Sequence, residues 1–113
     1  MTTKIRQQNG ITILEPNGKM IGPSVSELRT ALSPQLDVAE APRILINFEN
    51  VNKIDSDGLG ALMGIRAVTA RKKGRIGVVN VSKQIKNLIV LSRLVRVFEH
   101  YDSEAAAVSA LSA

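Results

Sequence analysis

The sequence predicts an α/β domain, a mixed and mostly parallel sheet of about four or five strands with about four helices packed on it. Three observations carry that expectation. Two short apolar runs, Arg43-ILINF-Glu49 and Ile76 to Val81, are continuous rather than alternating, as in strands covered on both faces. The stretch between them, Gly58 to Lys73, is too long for a strand and rich in Ala, Leu and Met. An Asn-Gly pair opens the chain between two extended runs. The resulting order is β-β-α-β-α-β-α-β-α, an alternation that lays helices on a sheet.

Each element has its own signal. Asn9-Gly10 suits the positive φ angles of a type I′ turn, so KIRQ and Ile11 to Leu14 form a hairpin that Pro16-Asn17-Gly18 closes. Ser24-Val25-Ser26-Glu27 is a capping box, followed by an apolar stripe at Val25, Leu28 and Leu32. Pro34 is expected to limit the regular part of that helix, with Leu36 extending its packing face. In the second helix Arg66, Thr69 and Lys73 mark a solvent stripe. Arg71, Lys72 and Lys73 suit its C-terminal dipole, and Gly74 is placed at C′. Ser82 caps a third helix carrying Ile85, Leu88 and Ile89. A strand follows at Val95 to Phe98, and Asp102 or Ser103 caps a last helix through Ala105, Val108 and Leu111.

Composition narrows the function. The 113 residues suit one domain, 1–113, and 44% hydrophobic with 22% charged residues is a globular balance. A chain of this size buries roughly two-thirds of the surface it exposes when unfolded. Zero Cys excludes disulfide scaffolds, thiolate metal sites and cysteine nucleophiles, and a single His excludes most histidine-rich metal sites. The formal charge of +5 suggests nucleic acid, but Phe48, Phe98 and Tyr101 are too few and scattered for a base-stacking platform. The first residues lack the apolar core of a targeting signal, and no run approaches the ~20 apolar residues of a membrane span. The expectation is a cytoplasmic domain without nucleic-acid or membrane partners, cofactor or metal.

One loop, Val51 to Gly60, joins a buried strand to a buried helix, where open α/β sheets display function. It fails the phosphate-cradle patterns: Gly58, Gly60 and Gly64 are spaced G-x-G-x-x-x-G with Met63 where a dinucleotide fingerprint needs Gly, and Gly-Lys-Ser/Thr is absent. An EF-hand register beginning at Lys53 lacks both terminal carboxylates, Asp55 and Asp57 alone supply too few metal ligands, and Ser56 lacks the glycines of a hydrolase elbow. What remains is Ser56 at or just before a helix N-terminus, flanked by Asp55 and Asp57. Two readings stay open there: the three residues only cap the helix, or Ser56 is a phosphorylatable serine whose modification switches a protein contact. His100 reads as a surface residue, Gly60 and Gly64 as positions that let the helix approach the sheet or a partner closely, and Arg71 to Arg75 as a solvated helix end.

The run IDSDGLGALMGIRAVTARKKG, followed by IGVVNVSKQIKNLIVLSRLVRVFEHYDSEAAA, resembles the STAS domain of bacterial anti-sigma-factor antagonists. The upstream GKMIGPS with SELR, the strand ILINF and the late LxxVF share that resemblance, which covers nearly the whole chain. It implies a single STAS-like domain that is a binding module, not an enzyme. Its implied partner is an anti-sigma factor that is also a serine kinase of the histidine-kinase-like ATPase type, with a serine phosphatase opposing it. Unphosphorylated, such a protein binds the kinase and frees sigma; phosphorylation breaks the complex. Carried onto this sequence, the phosphoacceptor is Ser56, positioned by Asp55, with Gly58 as the turn residue and Asp57, Leu59, Gly60 and Leu62 as partner contacts or loop support. The resemblance implies a monomer or weak dimer. Its alternative is a scaffold subunit of a stressosome-like or lipid-transport complex without a phosphorylation switch. Two positions depart from the pattern: Asp57 stands where relatives often carry Ser, Thr or Ala, and Gly18-Lys19-Met20-Ile21-Gly22 lacks a carboxylate common in that loop.

The charge is uneven. Residues 1–57 hold six Lys/Arg against seven Asp/Glu, and residues 58–113 hold nine against three. The basic half therefore predicts an acidic partner surface whose attraction weakens with salt.

Overall fold

β1 (Thr2–Gln8) and β2 (Ile11–Met20) pair antiparallel in unbroken register from Gln8↔Ile11 to Thr2↔Asn17. The turn between them has φ of 53° at Asn9 and 78° at Gly10, the positive pair that a type I′ turn requires. The computed structural model describes residues 2–38, 41–91 and 98–112. Pro16-Asn17-Gly18 does not close β2 as expected: the strand continues to Met20, and its register shifts between Gly18 and Lys19. Gly18 takes φ 109°, so the chain bends there without leaving the sheet.

A 3₁₀ turn (Gly22–Ser24) leads into α1 (Val25–Val38) where the sequence places a helix start, but the Ser24 hydroxyl donates back to the Ile21 carbonyl at 2.5 Å rather than forward onto the helix. Val25, Leu28 and Leu32 are buried as one stripe. Pro34 lies inside the helix rather than ending it. A proline removes one backbone donor and crowds the preceding turn, a cost that a helix packed along its apolar stripe can absorb. The side chain of Leu36 lies outside the described residues.

β3 (Arg43–Asn47) and β5 (Arg75–Val79) run parallel in register from Arg43↔Arg75 to Asn47↔Val79. Alternate residues face opposite ways. Ile44, Ile46, Ile76 and Val78 join one core with Val25, Leu28, Leu32, Ala61, Leu62, Ile65 and Ile85, while Leu45 and Val79 join another with Ile11, Ile13, Val108 and Leu111. Burial on both faces is the physical reason that the sequence of these strands shows no alternation.

A short strand interrupts the expected loop. β4 (Val51–Ile54) runs parallel to the far end of β2, pairing Gly18↔Val51 and Met20↔Ile54. α2 (Ser56–Arg71) follows at once. Thr69, expected on its solvent stripe, is 1% exposed; its hydroxyl donates to the Ile65 carbonyl at 2.7 Å, which satisfies it inside the core. The helix ends in a Schellman motif. Lys73 (φ 58°), not Gly74, takes the left-handed C′ position, with Lys73 N–H donating to Ala70 O at 3.0 Å and Gly74 N–H to Thr69 O at 2.8 Å. Gly74 is glycine for another reason: a Cβ there would stand 2.2 Å from the Pro42 carbonyl oxygen.

α3 (Lys83–Leu91) is capped by Ser82, whose hydroxyl accepts from Ile85 N–H at 3.2 Å. Ile85 is buried, and the side chains of Leu88 and Ile89 lie outside the described residues. β6 (Glu99–Tyr101) begins just after the expected Val95 to Phe98, of which residues 95–97 lie outside the described residues. α4 (Glu104–Leu111) is capped by Ser103 and buries Val108 and Leu111, whereas Ala105 is exposed. The six described strands are ordered β1-β2-β3-β5-β6, with β4 on β2 beyond this path. All pairings except β1 with β2 are parallel.

One polar cluster has no counterpart in the local sequence signals. Arg6 on β1 pairs with Glu15 on β2 and with Glu104 at the head of α4, at 2.8 Å to the latter. Glu104 also accepts from the Asn47 amide at 3.0 Å, and Asn47 accepts from Asn80 at 3.1 Å. These partners are up to 98 positions apart, so no local pattern announces them.

Candidate functional site

The C-terminal edge of the parallel strands holds the candidate site, because β4 ends there and α2 begins with no spacer but Asp55. Asp55 is the N-cap, in an extended conformation (φ −119°). Its Oδ1 accepts from Gly58 N–H at 3.0 Å, satisfying one of the helix's orphan donors. Its Oδ2 accepts from Gly22 N–H at 3.1 Å, and its own N–H donates to Met20 O at 3.4 Å. One carboxylate thus fastens the head of α2 to the loop that follows β2.

Ser56 is the first residue of α2 and is exposed, as is Asp57. Gly58 is not a turn residue. It lies within the first turn of the helix, and a Cβ there would meet Met20 O at 2.3 Å and Ile54 Cγ1 at 2.6 Å. Glycine is therefore required by the close approach of β2 to the helix head. Leu59 is half-buried against the core, and Leu62 is fully buried, which limits Leu62 to support from beneath. Gly60 is exposed, and neither it nor Gly64 has any atom within 4 Å of an added Cβ. Close packing within the domain is thus not their role: both are exposed, as is Ala67, and Gly64 also lines a groove between α1 and α2.

The structure brings Ser56, Asp55, Asp57 and Gly58 together at one helix head and places Gly60 one turn along it. It does not bring the basic cluster there. Arg71, Lys72 and Lys73 sit at the opposite end of the 16-residue α2, about 22 Å away at 1.5 Å per residue. That exceeds a Debye length of about 8 Å, so their field scarcely reaches Ser56. Sequence reading missed Gly22 and Arg29, which share a cleft with Asp57. The only hint was the first loop's position after the hairpin. Among the described residues no cluster of three His, Cys, Asp or Glu could hold a metal ion, and no described helix is long and apolar enough to cross a membrane.

The STAS domain family model matches residues 2–107, nearly the whole chain. The chain belongs to the STAS domain family. Its match to the anti-sigma F factor antagonist of Paenibacillus polymyxa is 22% identical over 108 residues, covering 96% of this chain and 92% of that one. The fold is similar to that of a candidate anti-sigma factor antagonist from Thermotoga maritima, with TM-score 0.91, 19% identity and coverage of 98% and 95% of the two chains. It is also similar to the Bacillus cell fate determinant SpoIIAA in its phosphorylated form, with TM-score 0.74, 19% identity and coverage of 96% and 99%. Members of this family of the anti-sigma antagonist kind are regulatory binding proteins rather than enzymes.

Proposed function

We propose that this STAS domain, taken as one unit over residues 1–113, is a cytoplasmic anti-sigma-factor antagonist regulated at Ser56. In this reading it binds a cognate anti-sigma serine kinase of the histidine-kinase-like ATPase type when unmodified. Phosphorylation then breaks the complex, and a serine phosphatase restores it. The observation that supports this best is the exposed Ser56 on a helix head that Asp55 ties by hydrogen bonds to the neighbouring loop.

The chemistry belongs to the kinase. The Ser56 oxygen attacks the γ-phosphorus of the kinase's ATP, the bond to the ADP oxygen breaks, and the serine proton passes to a base of the kinase. The product gains about −1.5 to −2 charges. The partial positive charge of the helix N-terminus favours that group, whereas Asp55 and Asp57 oppose it. Before modification, Gly60, Gly64 and Ala67 give the partner a shallow helix face that it can approach closely. The domain performs no reaction and needs no cofactor, and it acts as a monomer or weak dimer.

Incubation with the cognate kinase and ATP should add the mass of one phosphoryl group to the wild type and none to Ser56→Ala, which should still bind the kinase. Wild type left unmodified beside a labelled control substrate would sink the switch. A large, stable particle by size-exclusion chromatography with light scattering would then support a scaffold subunit of a stressosome-like or lipid-transport assembly.

A further inference from the structure

Two clefts meet at Arg29. One, of about 210 Å³, lies beside the head of α2 and is lined by Gly22, Val25, Ser26, Arg29 and Asp57. The other, of about 220 Å³, runs between α1 and α2 over Leu32, Ala61, Gly64 and Ile65, and Arg29 stands at its wall too. Leu28 is fully buried, so the helix turns the next residue to the rim, where Arg29 is exposed. Among the described residues, neither the Arg29 guanidinium nor the Asp57 carboxylate is engaged in an ion pair. Ser56 immediately precedes Asp57 at the first position of α2.

The other charged groups at this end separate by element. Asp55 is occupied by two backbone donors. Lys19 and Lys53, both exposed, face each other in register on β2 and β4. Glu27 lies in the first turn of α1. Arg29 is the cation that shares a cleft with Asp57 and that reaches both helices.

We propose that Arg29 reads the modification of Ser56, pairing with the phosphate in competition with Asp57. The inference rests on the reading of Ser56 as phosphoacceptor. Arginine has the chemistry for this pairing, since its planar guanidinium offers two parallel donors to phosphate oxygens and keeps its charge at every physiological pH. Pairing draws α1 to the head of α2, closes the smaller cleft and removes the positive rim from the apolar groove. The phosphorylated surface thus differs from the unmodified one along both helices, beyond the serine itself. Asp57, the departure from the usual pattern, sets the threshold by holding negative charge beside the phosphate.

The test uses full-length protein with phosphoserine incorporated at position 56 during translation, so that no kinase is needed. The phosphate is titrated by ³¹P NMR in otherwise wild-type protein, in Arg29→Gln and in Lys53→Gln, with folding of each checked by circular dichroism. Loss of the cation should raise the phosphate's proton affinity about three- to tenfold in Arg29→Gln, and clearly less in Lys53→Gln. Phosphorylation should also shift the Arg29 side-chain N–H resonance. Equal titration in wild type and Arg29→Gln, or an equal effect of Lys53→Gln, overturns the proposal. A kinase that fails to label Ser56 overturns the proposed function instead, and leaves this titration readable.

Discussion

The two ends of α2 are built on the same constraint and stabilised by different means. At each end a glycine lies against a backbone carbonyl, Gly58 on Met20 at 2.3 Å and Gly74 on Pro42 at 2.2 Å as measured from an added Cβ. At the C-terminal end the main chain closes the helix by itself through Lys73 and Gly74, whose N–H groups reach Ala70 and Thr69. At the N-terminal end one side chain, Asp55, serves both the helix and the loop at Gly22. A backbone cap tolerates most changes of side chain. A side-chain cap concentrates stability in one charged group, and charge added beside it acts on that group. The same helix thus has an inert end and an end suited to electrostatic control.

The largest expected effect tests what the ends share. Gly58→Ala and Gly74→Ala should each destabilise the domain by ~3 kcal/mol in urea titrations, since the atom struck is backbone in both cases. If Gly58→Ala alone were neutral, the helix head would be free to shift and the parallel between the ends would break. The next effect separates them. Asp55→Ala should cost ~1–2 kcal/mol, because it removes the cap and leaves the Gly22 donor without its carboxylate. Lys72→Ala, at the C-cap of the other end, should change stability by less than ~0.5 kcal/mol.

Two smaller effects sharpen the contrast at the inert end. Lys73→Gly should stabilise by ~0.5–1 kcal/mol, since Lys73 holds φ 58° where glycine carries no steric penalty. A loss of stability would show that the lysine side chain, and not the backbone alone, secures this end. The smallest effect concerns Glu99, whose carboxyl is held below its ordinary range chiefly by its hydrogen bond from Arg75 at the start of β5. Its folded pKa is lower than its unfolded one, so its contribution is present above the unfolded value and lost as pH falls through the folded one. Both partners are more than a third exposed, so Glu99→Gln should cost no more than ~0.5 kcal/mol at pH 7 and nothing at low pH. An equal cost at both pH values would mean that the side chain acts by packing rather than by charge.

How much could be read beforehand depends on the range over which each signal acts. The hairpin turn and the caps at Ser82 and Ser103 are local, because the groups that satisfy one another lie within a few residues. Errors arose where distant parts decided. Pro16-Asn17-Gly18 has the chemistry of a turn, yet pairing with β1 and then with β4 keeps it in the sheet. Thr69 looks like a surface residue until its hydroxyl finds the Ile65 carbonyl and the core closes over it. Val51 to Ile54 reads as loop because its partner strand lies more than thirty positions upstream. Within the candidate site, Ser56 and its two acidic neighbours were legible, whereas Gly22 and Arg29 were not, since α1 must pack beside α2 before they share a cleft.

By itself the sequence determined the α/β class, the continuous apolar strands and the position of Ser56 between two carboxylates, because side-chain periodicity and capping chemistry are written locally. Its uneven charge was also plain, with nine cations against three carboxylates after residue 57. Only the tertiary structure decided where that charge lies. α2 carries Arg71, Lys72 and Lys73 to the end far from Ser56, and packing of α1 brings Arg29 into one cleft with the neighbouring Asp57 instead. The physical reason is distance: screening confines electrostatic influence to about 8 Å, and folding rather than sequence order sets which charges stand that close.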